Sequence, residues 1–226
     1  MIAQYIDHTI LKPTTTVQEV KKVCEEAIHY GFASVCIPPY FVADAAMALQ
    51  HASSKVSTVI GFPFGYNNYH AKLIEVKKAI KDGAKELDMV MNIIALKNKD
   101  YHLLNQEIKK ITEVISENNL VLKVIIESGI LSDEEIIDCC HLYKDYDVKF
   151  LKTSTGFAEK GASIEAIKLM RKHLPWYMEI KASGGIKTYA FAQSLLNAGA
   201  TRIGCSAGIA IVNGEVPARS ILTYKE

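Results

Sequence analysis

The chain is expected to fold as a closed (β/α)8 barrel, and three observations predict it. Eight short apolar runs alternate with segments of helical periodicity along the 226 residues. That length suits eight strand–helix units joined by right-handed crossovers. The first candidate strand runs into Thr9-Ile10-Leu11-Lys12-Pro13, without the glycine-rich turn that an open, doubly wound sheet prefers at this point. One domain spanning residues 1–226 is expected.

The strand candidates, in order, are Tyr5–His8, Ala33–Ile37, Val56–Ile60, Glu86–Met91, Val121–Glu127, Lys149–Thr153, Met178–Ala182 and Thr201–Cys205. Between them apolar residues recur at three and four. The segment Val17–Tyr30 uses Val17, Val20, Val23, Ala27 and Ile28; Ala71–Ile80 uses Leu73, Val76 and Ile80. Tyr101–Ile115 carries Leu104, Ile108, Ile111 and Ile115, and Ser163–Leu174 carries Ile164, Ile167, Met170 and Leu174. Gly31, Gly83 and Gly199 stand where left-handed helix ends are expected.

Bulk composition narrows the function. Hydrophobic residues are 49%, charged residues 23% and the net charge +1, so no basic field points to nucleic acid. No apolar run reaches the ~20 residues of a membrane span. Met1-Ile2-Ala3-Gln4-Tyr5 lacks the basic and apolar regions of a signal peptide, so a cytoplasmic place is expected. The five cysteines, Cys24, Cys36, Cys139, Cys140 and Cys205, lack metal-ligand spacing and read as buried thiols in a reducing compartment. A sharper alternative makes Cys36 or Cys205 a reactive thiol beside a pocket. Six of the seven histidines fall away from strand ends, and His8 alone beside Asp7 does not make a metal site.

In such a barrel the chemistry sits at the C-terminal ends of the strands. Side chains alternate along a strand, so Glu86, Asp88, Val90 and Asn92 share one face, as do Lys123, Ile125 and Glu127. Phe150 shares a face with Lys152, and Glu179 with Lys181. The opposite faces, with Leu87, Met89, Val124, Ile126, Leu151 and Ile180, suit packing under helices. The charged faces then point inward, where charges of both signs persist only when paired. A network of Asp88, Lys123, Lys152 and Lys181 follows. The pattern alone leaves it open whether that network is a structural lattice or a catalytic one.

The lysine positions favour catalysis. Lys152 and Lys181 stand near strand ends and run into Thr153-Ser154-Thr155-Gly156 and Ala182-Ser183-Gly184-Gly185. About one free lysine in 2,500 is neutral at pH 7; lowering the pKa by roughly three units makes about 30% neutral, at a differential cost of about 4 kcal/mol. Desolvation plus a like charge can supply that shift, and a neutral lysine is a nucleophile for carbonyl groups. Lys152 as nucleophile with Lys181 as perturber satisfies the requirement, and so does the reverse. Asp88 would move protons, through a water. The loop Ser183-Gly184-Gly185-Ile186-Lys187-Thr188 after the seventh strand and Gly204-Cys205-Ser206-Ala207-Gly208 at the eighth each open a helix. Phosphate sites recur there in this fold. Thr155 and Gly156 could complete that cradle, with Lys187 as counter-charge.

These same segments resemble the deoxyribose-phosphate aldolase family along nearly the whole chain. The likeness rests on Ile6-Asp7-His8-Thr9-Ile10-Leu11-Lys12-Pro13, Ala33-Ser34-Val35-Cys36-Ile37, Ile60-Gly61-Phe62-Pro63-Phe64-Gly65, Glu86-Leu87-Asp88-Met89-Val90 and Lys123-Val124-Ile125-Ile126-Glu127. Most specific are Phe150-Leu151-Lys152-Thr153-Ser154-Thr155-Gly156-Phe157 and Ile180-Lys181-Ala182-Ser183-Gly184-Gly185-Ile186. The resemblance implies reversible, cofactor-free class I cleavage of 2-deoxy-D-ribose 5-phosphate to D-glyceraldehyde 3-phosphate and acetaldehyde. It implies that Lys152 forms the imine, Lys181 lowers its pKa and Asp88 joins the proton relay. Thr9, Leu11 and Cys36 would line the substrate side together with Thr155, Gly156, Gly184, Gly185, Lys187, Gly204 and Ser206, backed by Asp7 and Lys123. A homodimer is implied by the resemblance alone. Phe157 stands where some members carry a basic residue, Lys187 where arginine is frequent, and Tyr224 lies near the C-terminus without ending the chain. Another Schiff-base sugar-phosphate aldolase, or a non-catalytic phosphosugar-binding barrel, are the alternatives; the second would have no reason to keep both lysines and Asp88.

Overall fold

The computed structural model describes residues 1–215. Eight parallel strands form a closed barrel, each paired with the next and the eighth with the first. They are β1 Ile6–Thr9, β2 Ser34–Ile37, β3 Lys55–Ile60, β4 Glu86–Val90, β5 Val121–Ile125, β6 Phe150–Lys152, β7 Glu179–Ser183 and β8 Arg202–Cys205. The register is what matters for function. Asp88 is level with Lys123, Ile125 with Lys152, Lys152 with Lys181, and Lys181 with Arg202.

The fifth strand stops two residues short of the expected Glu127. Glu127 takes a left-handed backbone (φ 55, ψ 54), which lifts the chain off the sheet.

The helices are α1 Val17–Tyr30, α2 Val42–Ala48, α3 Tyr69–Lys81, α4 Ile93–Lys97, α5 Tyr101–Glu117, α6 Asp133–Tyr143, α7 Ile164–His173, α8 Tyr189–Asn197 and α9 Gly208–Asn213. Their starts follow from the sequence. Thr16 with Glu19 and Ser132 with Glu135 form capping boxes, and Asn68, Asn92, Asp100, Ser163 and Thr188 accept from amides of their first turns. Gly31 closes α1 at φ 70. Five helices escape periodicity: α8 and α9 are expected only from the loops that open them, and α2, α4 and α6 give no sign. α4 is barely more than one turn, α2 is alanine-rich, and α6 buries Ile136, Cys139, Cys140 and Tyr143, a face on which two cysteines and a tyrosine replace aliphatic residues. Among the described residues no helix is long and apolar enough to cross a membrane.

Strand alternation divides the interior into two regions. Outward residues such as Leu87, Met89, Val124, Ile126, Leu151 and Ile180 join one core with helix residues such as Val76, Leu104, Ile111 and Ile167. Cys36, Val59, Val90, Ile125 and Phe150 are buried but stand outside that core, on the strand faces that carry the charged residues. The barrel axis is therefore polar and ionic, and the apolar core is the annulus around it.

One ion pair lies in the annulus. Lys72 on α3 reaches Glu107 on α5 at 2.6 Å and donates to Val90 O at 2.8 Å, and Glu107 accepts from Asn92 N at 3.3 Å. Both side chains are almost fully buried, so the pair ties two helices to the end of β4. Removing one partner strands a buried charge. Lys72→Met is expected to lower unfolding free energy by about 3 kcal/mol, and Lys72→Met with Glu107→Leu to recover most of that loss in urea denaturation. A double variant no more stable than the single would show that Val90 O and Asn92 N, and not the ion pair, carry the effect.

Candidate active site

Seven charged side chains converge inside the barrel: Asp7 on β1, Glu86 and Asp88 on β4, Lys123 on β5, Lys152 on β6, Lys181 on β7 and Arg202 on β8. Asp88 is the hub. Its Oδ1 accepts from Lys123 Nζ at 2.8 Å and from Ser57 Oγ at 3.3 Å; its Oδ2 accepts from Lys152 at 2.8 Å and Lys181 at 2.7 Å. Lys181 also donates to Asp7 Oδ2, and Asp7 Oδ1 takes Arg202 at 2.7 Å. Glu86 Oε2 closes the ring, 2.6 Å from Lys123 and 3.1 Å from Arg202.

Counting charges decides how this ring titrates. Lys123, Lys152, Lys181 and Arg202 face Asp7, Glu86 and Asp88, four cations against three carboxylates. A buried cluster with one surplus charge is best relieved by losing one proton. Among the described residues Lys123, Lys181 and Arg202 each contact two carboxylates or more, whereas Lys152 contacts only Asp88.

The direction of each shift agrees. Burial lowers the Lys152 pKa, Asp88 opposes that, and Lys181 adds to the lowering, with a net downward shift. Burial acts the same way on Lys181, but Asp7 and Asp88 overcome it and hold the amine above the ordinary lysine range. Lys123 is likewise raised, by Asp88 and Glu86 against burial. Burial would raise Asp7 and Asp88, yet the facing lysines hold both well below the usual carboxylate range. One amine is thus eased toward neutrality while two are locked as ammonium.

Access separates the lysines too. Lys152 lines a cavity of about 920 Å³ and keeps 3% exposure, while Lys123 and Lys181 are at 0% behind it. Lys181 lies flat because β8 offers glycine beside it: a Cβ on Gly204 would come 2.9 Å from Lys181 Cε. The loops after β6 and β7 are stitched together. Thr153 Oγ1 accepts from Ser183 N at 3.1 Å, and Ser183 Oγ donates to Ser154 O at 2.5 Å. Gly184 at φ 88 packs so closely that a Cβ would lie 3.0 Å from Gly161 Cα.

Around the cavity the structure gathers Thr9, Leu11, Thr155, Gly156, Gly184, Gly185, Lys187, Gly204 and Ser206. It does not bring Cys36 there. Cys36 is fully buried on β2, and burial and Asp88 raise its thiol pKa. Cys205 does line the cavity, but burial pushes its thiol up to about 12. Neither thiol has the depressed pKa of a reactive cysteine. Asp7 and Lys123 sit in the ring itself. Phe157 meets Phe62 edge to face at 5.3 Å, making this side of the mouth aromatic. His8 is buried and pairs with Glu26 at 2.7 Å. Among the described residues no group of His, Cys, Asp and Glu is placed to hold a metal. Tyr224 lies outside the described residues.

Arg202, Glu86 and Ser57 complete the ring without having been singled out as site residues. Arg202 was readable in principle: it shares a face with Gly204 on a strand adjoining Lys181.

The DeoC/LacD family aldolase description matches residues 1–214, so the chain belongs to that family. It is 50% identical over 212 residues to the deoxyribose-phosphate aldolase of Caldanaerobacter subterraneus subsp. tengcongensis, covering 93% of this chain and 92% of the relative. It is also 50% identical over 218 residues to that of Listeria monocytogenes serovar 1/2a, covering 96% and 97%. The tetrameric structure of deoxyribose phosphate aldolase from Aeropyrum pernix superposes with a TM-score of 0.88 at 28% identity, over 94% of this chain and 89% of the other.

The ring predicts a titration. In Lys181→Met the like charge level with Lys152 is gone, and Asp88 Oδ2 is left to Lys152 alone. The Lys152 pKa should rise, so the pH midpoint for its reaction with an amine-selective reagent, read by peptide mapping, should move up by about one unit or more. An unchanged midpoint would mean that burial alone sets it.

Proposed function

We propose that the chain catalyses reversible cleavage of 2-deoxy-D-ribose 5-phosphate to D-glyceraldehyde 3-phosphate and acetaldehyde through an imine on Lys152. One observation carries the choice of nucleophile: Lys152 alone of the three ring lysines both opens on the cavity and has a lowered pKa. The membership in an aldolase family and the printed names of the relatives support the substrate.

In this reading the neutral amine adds to C1 of the open-chain sugar. The carbinolamine loses water to give an iminium, and the proton on the C3 hydroxyl is withdrawn as the C2–C3 bond breaks. Electrons flow into the iminium, glyceraldehyde 3-phosphate leaves, and the remaining enamine is protonated at C2 and hydrolysed to acetaldehyde. Asp88 takes part in these transfers through a water, supported by its contact with the Lys152 amine. Lys181, held charged by Asp7 and Asp88, keeps Lys152 from holding its proton. The phosphate is assigned to the loops of Gly184, Gly185, Gly204 and Ser206 with Lys187 at the rim, where Phe157 offers no charge. No metal or organic cofactor enters this chemistry.

The assembly we propose is a homodimer; exposed apolar side chains such as Tyr40, Met47 and Trp176 and the tetrameric relative support self-association. A cytoplasmic place is supported by the five cysteines, all unpaired.

Incubation with acetaldehyde and borohydride should leave an ethyl group on Lys152 in peptide mass mapping, and EDTA should leave activity intact. No adduct, or one confined to Lys181, would sink the assignment. Lys187→Ala should raise KM for the phosphorylated sugar at least about tenfold while sparing unphosphorylated deoxyribose, the range of a charge-assisted hydrogen bond. Equal losses for both sugars would remove Lys187 from phosphate binding.

A further inference from the structure

Glu127 takes no part in the ion ring. It stands beyond the end of β5, beside the loop that follows Lys152, with 4% exposure and a left-handed backbone that L side chains disfavour. Backbone contacts hold it there: Ile126 N donates to Lys152 O at 3.0 Å and Ser128 N to Thr153 O at 2.7 Å, on either side of it. Among the described residues its carboxylate hydrogen-bonds a single neighbour. Thr155 N lies 3.2 Å from each oxygen, and Thr155 Oγ1 donates to Oε2. A strained, buried acid committed to one cavity residue asks for a reason.

The reason lies in the donors and acceptors around Thr155. A threonine hydroxyl has one proton and two lone pairs, and an ionised carboxylate only accepts. Burial pushes the Glu127 carboxyl above its ordinary value, and the two hydrogen bonds from Thr155 and the Lys152 charge pull it back; in the ionised form the Thr155 proton goes to Glu127. One lone pair receives the Phe157 N–H at 3.0 Å. One lone pair remains, and Thr155 lines the cavity beside Lys152. Phosphate oxygens and carbonyls are acceptors and find no donor on this hydroxyl; a sugar hydroxyl does find an acceptor.

We infer that Glu127 is a positioning residue that fixes Thr155 as a pure hydrogen-bond acceptor, so that the cavity selects substrates presenting a hydroxyl at that point. The inference rests on the aldolase reading above and adds a specificity element to it. It also moves the Thr155 side chain out of the phosphate cradle and onto the carbon skeleton. The substrate class is thereby an aldehyde acceptor with a hydroxyl beyond the reacting carbon.

Substitution separates the hydroxyl's polarity from the loop's shape. In Glu127→Gln, one oxygen still takes the Thr155 amide proton, and the NH2 is left against Oγ1. The Thr155 hydroxyl then receives a proton instead of giving one and is free to donate into the cavity. Thr155→Val removes the acceptor and keeps the shape; Thr155→Ser restores it.

The test measures kcat/KM for addition of acetaldehyde to D-glyceraldehyde 3-phosphate and to 3-phosphooxypropanal, which lacks the hydroxyl. Each variant is read as the ratio between the two aldehydes. The unsubstituted protein should favour the hydroxylated acceptor about ten- to a hundredfold, the range for a site whose buried polar group goes unpaired with the wrong substrate. Thr155→Val should bring the ratio within about threefold of one, and Thr155→Ser should hold it near the starting value. A sugar hydroxyl can also accept, so Glu127→Gln is read with a third aldehyde that carries a carbonyl in place of the hydroxyl: the unsubstituted protein should use it no better than the deoxy aldehyde, and Glu127→Gln should raise its kcat/KM about tenfold relative to the deoxy aldehyde. If Thr155→Val slows both aldehydes equally, or Glu127→Gln leaves the carbonyl aldehyde no better than the deoxy one, Glu127 is merely structural and the inference fails. Borohydride trapping of acetaldehyde in the unsubstituted protein keeps the two failures apart. No trapping there defeats the aldolase reading, whereas trapping with an unaltered ratio in the variants defeats only the selection by Thr155.

Discussion

The carboxylate of Asp88 is the interaction on which the rest of the structure depends. Three lysine amines from three strands end on its two oxygens, at 2.7 to 2.8 Å. Each amine is buried, and each would be intolerable without a counter-charge in a medium that solvates ions poorly. The position of Asp88 at the middle of β4 lets it reach across the axis, and barrel closure brings Lys181 within reach although it lies 93 residues away in sequence. Asp7 and Glu86 then satisfy the cations that Asp88 cannot hold alone. Because these two supports reach Lys123, Lys181 and Arg202 but leave Lys152 to Asp88, the ring is uneven. That unevenness makes one lysine different from its neighbours.

Placement completes the distinction. Parallel strands in register set Lys152 level with Lys181, so two chemically identical side chains begin at the same height. β6 ends at Lys152 and opens into the cavity, whereas β7 continues through Ala182 and Ser183 and carries Lys181 beneath the loops. Gly204 leaves room for Lys181 to turn toward Asp7. Small residues at this end of the barrel therefore have two separate jobs: some shape the mouth, and one lets a cation reach its partner.

Much of this was legible in the chain. Alternation along Glu86–Val90 and around Lys123, Lys152 and Lys181 pointed the charged faces inward, and the apolar opposite faces do pack under helices. The eight strands stand within two residues of the expected bounds. What escaped has identifiable causes. Arg202 begins a strand whose next residue on the same face is glycine, so no second side chain marked that face. Glu127 follows apolar residues that extend the strand pattern, and nothing local announces a left-handed backbone on a glutamate. The division of labour between the lysines depends on Lys181 meeting Asp7, 174 residues away, a contact that no local pattern encodes. Cys36 is expected on the substrate side from the family resemblance alone, but it lies too deep and meets the ring's charges without lining the cavity.

The surplus positive charge also bears on the chemistry of the proposed reaction. With Lys152 neutral, three cations balance three carboxylates. Dehydration of the carbinolamine gives a protonated iminium and restores the fourth cation in a closed, poorly solvated ring. Asp88, which already accepts from this nitrogen, stabilises the ion enough for it to form. The imbalance remains, and the step that removes it is flow of the C2–C3 bonding electrons into the iminium, which leaves a neutral enamine. The electrostatics that lower the amine's pKa thus make the iminium a stronger electron sink. A ring with a fourth carboxylate would leave Lys152 protonated and would also weaken that sink, so one surplus charge serves both the nucleophile and the bond-breaking step.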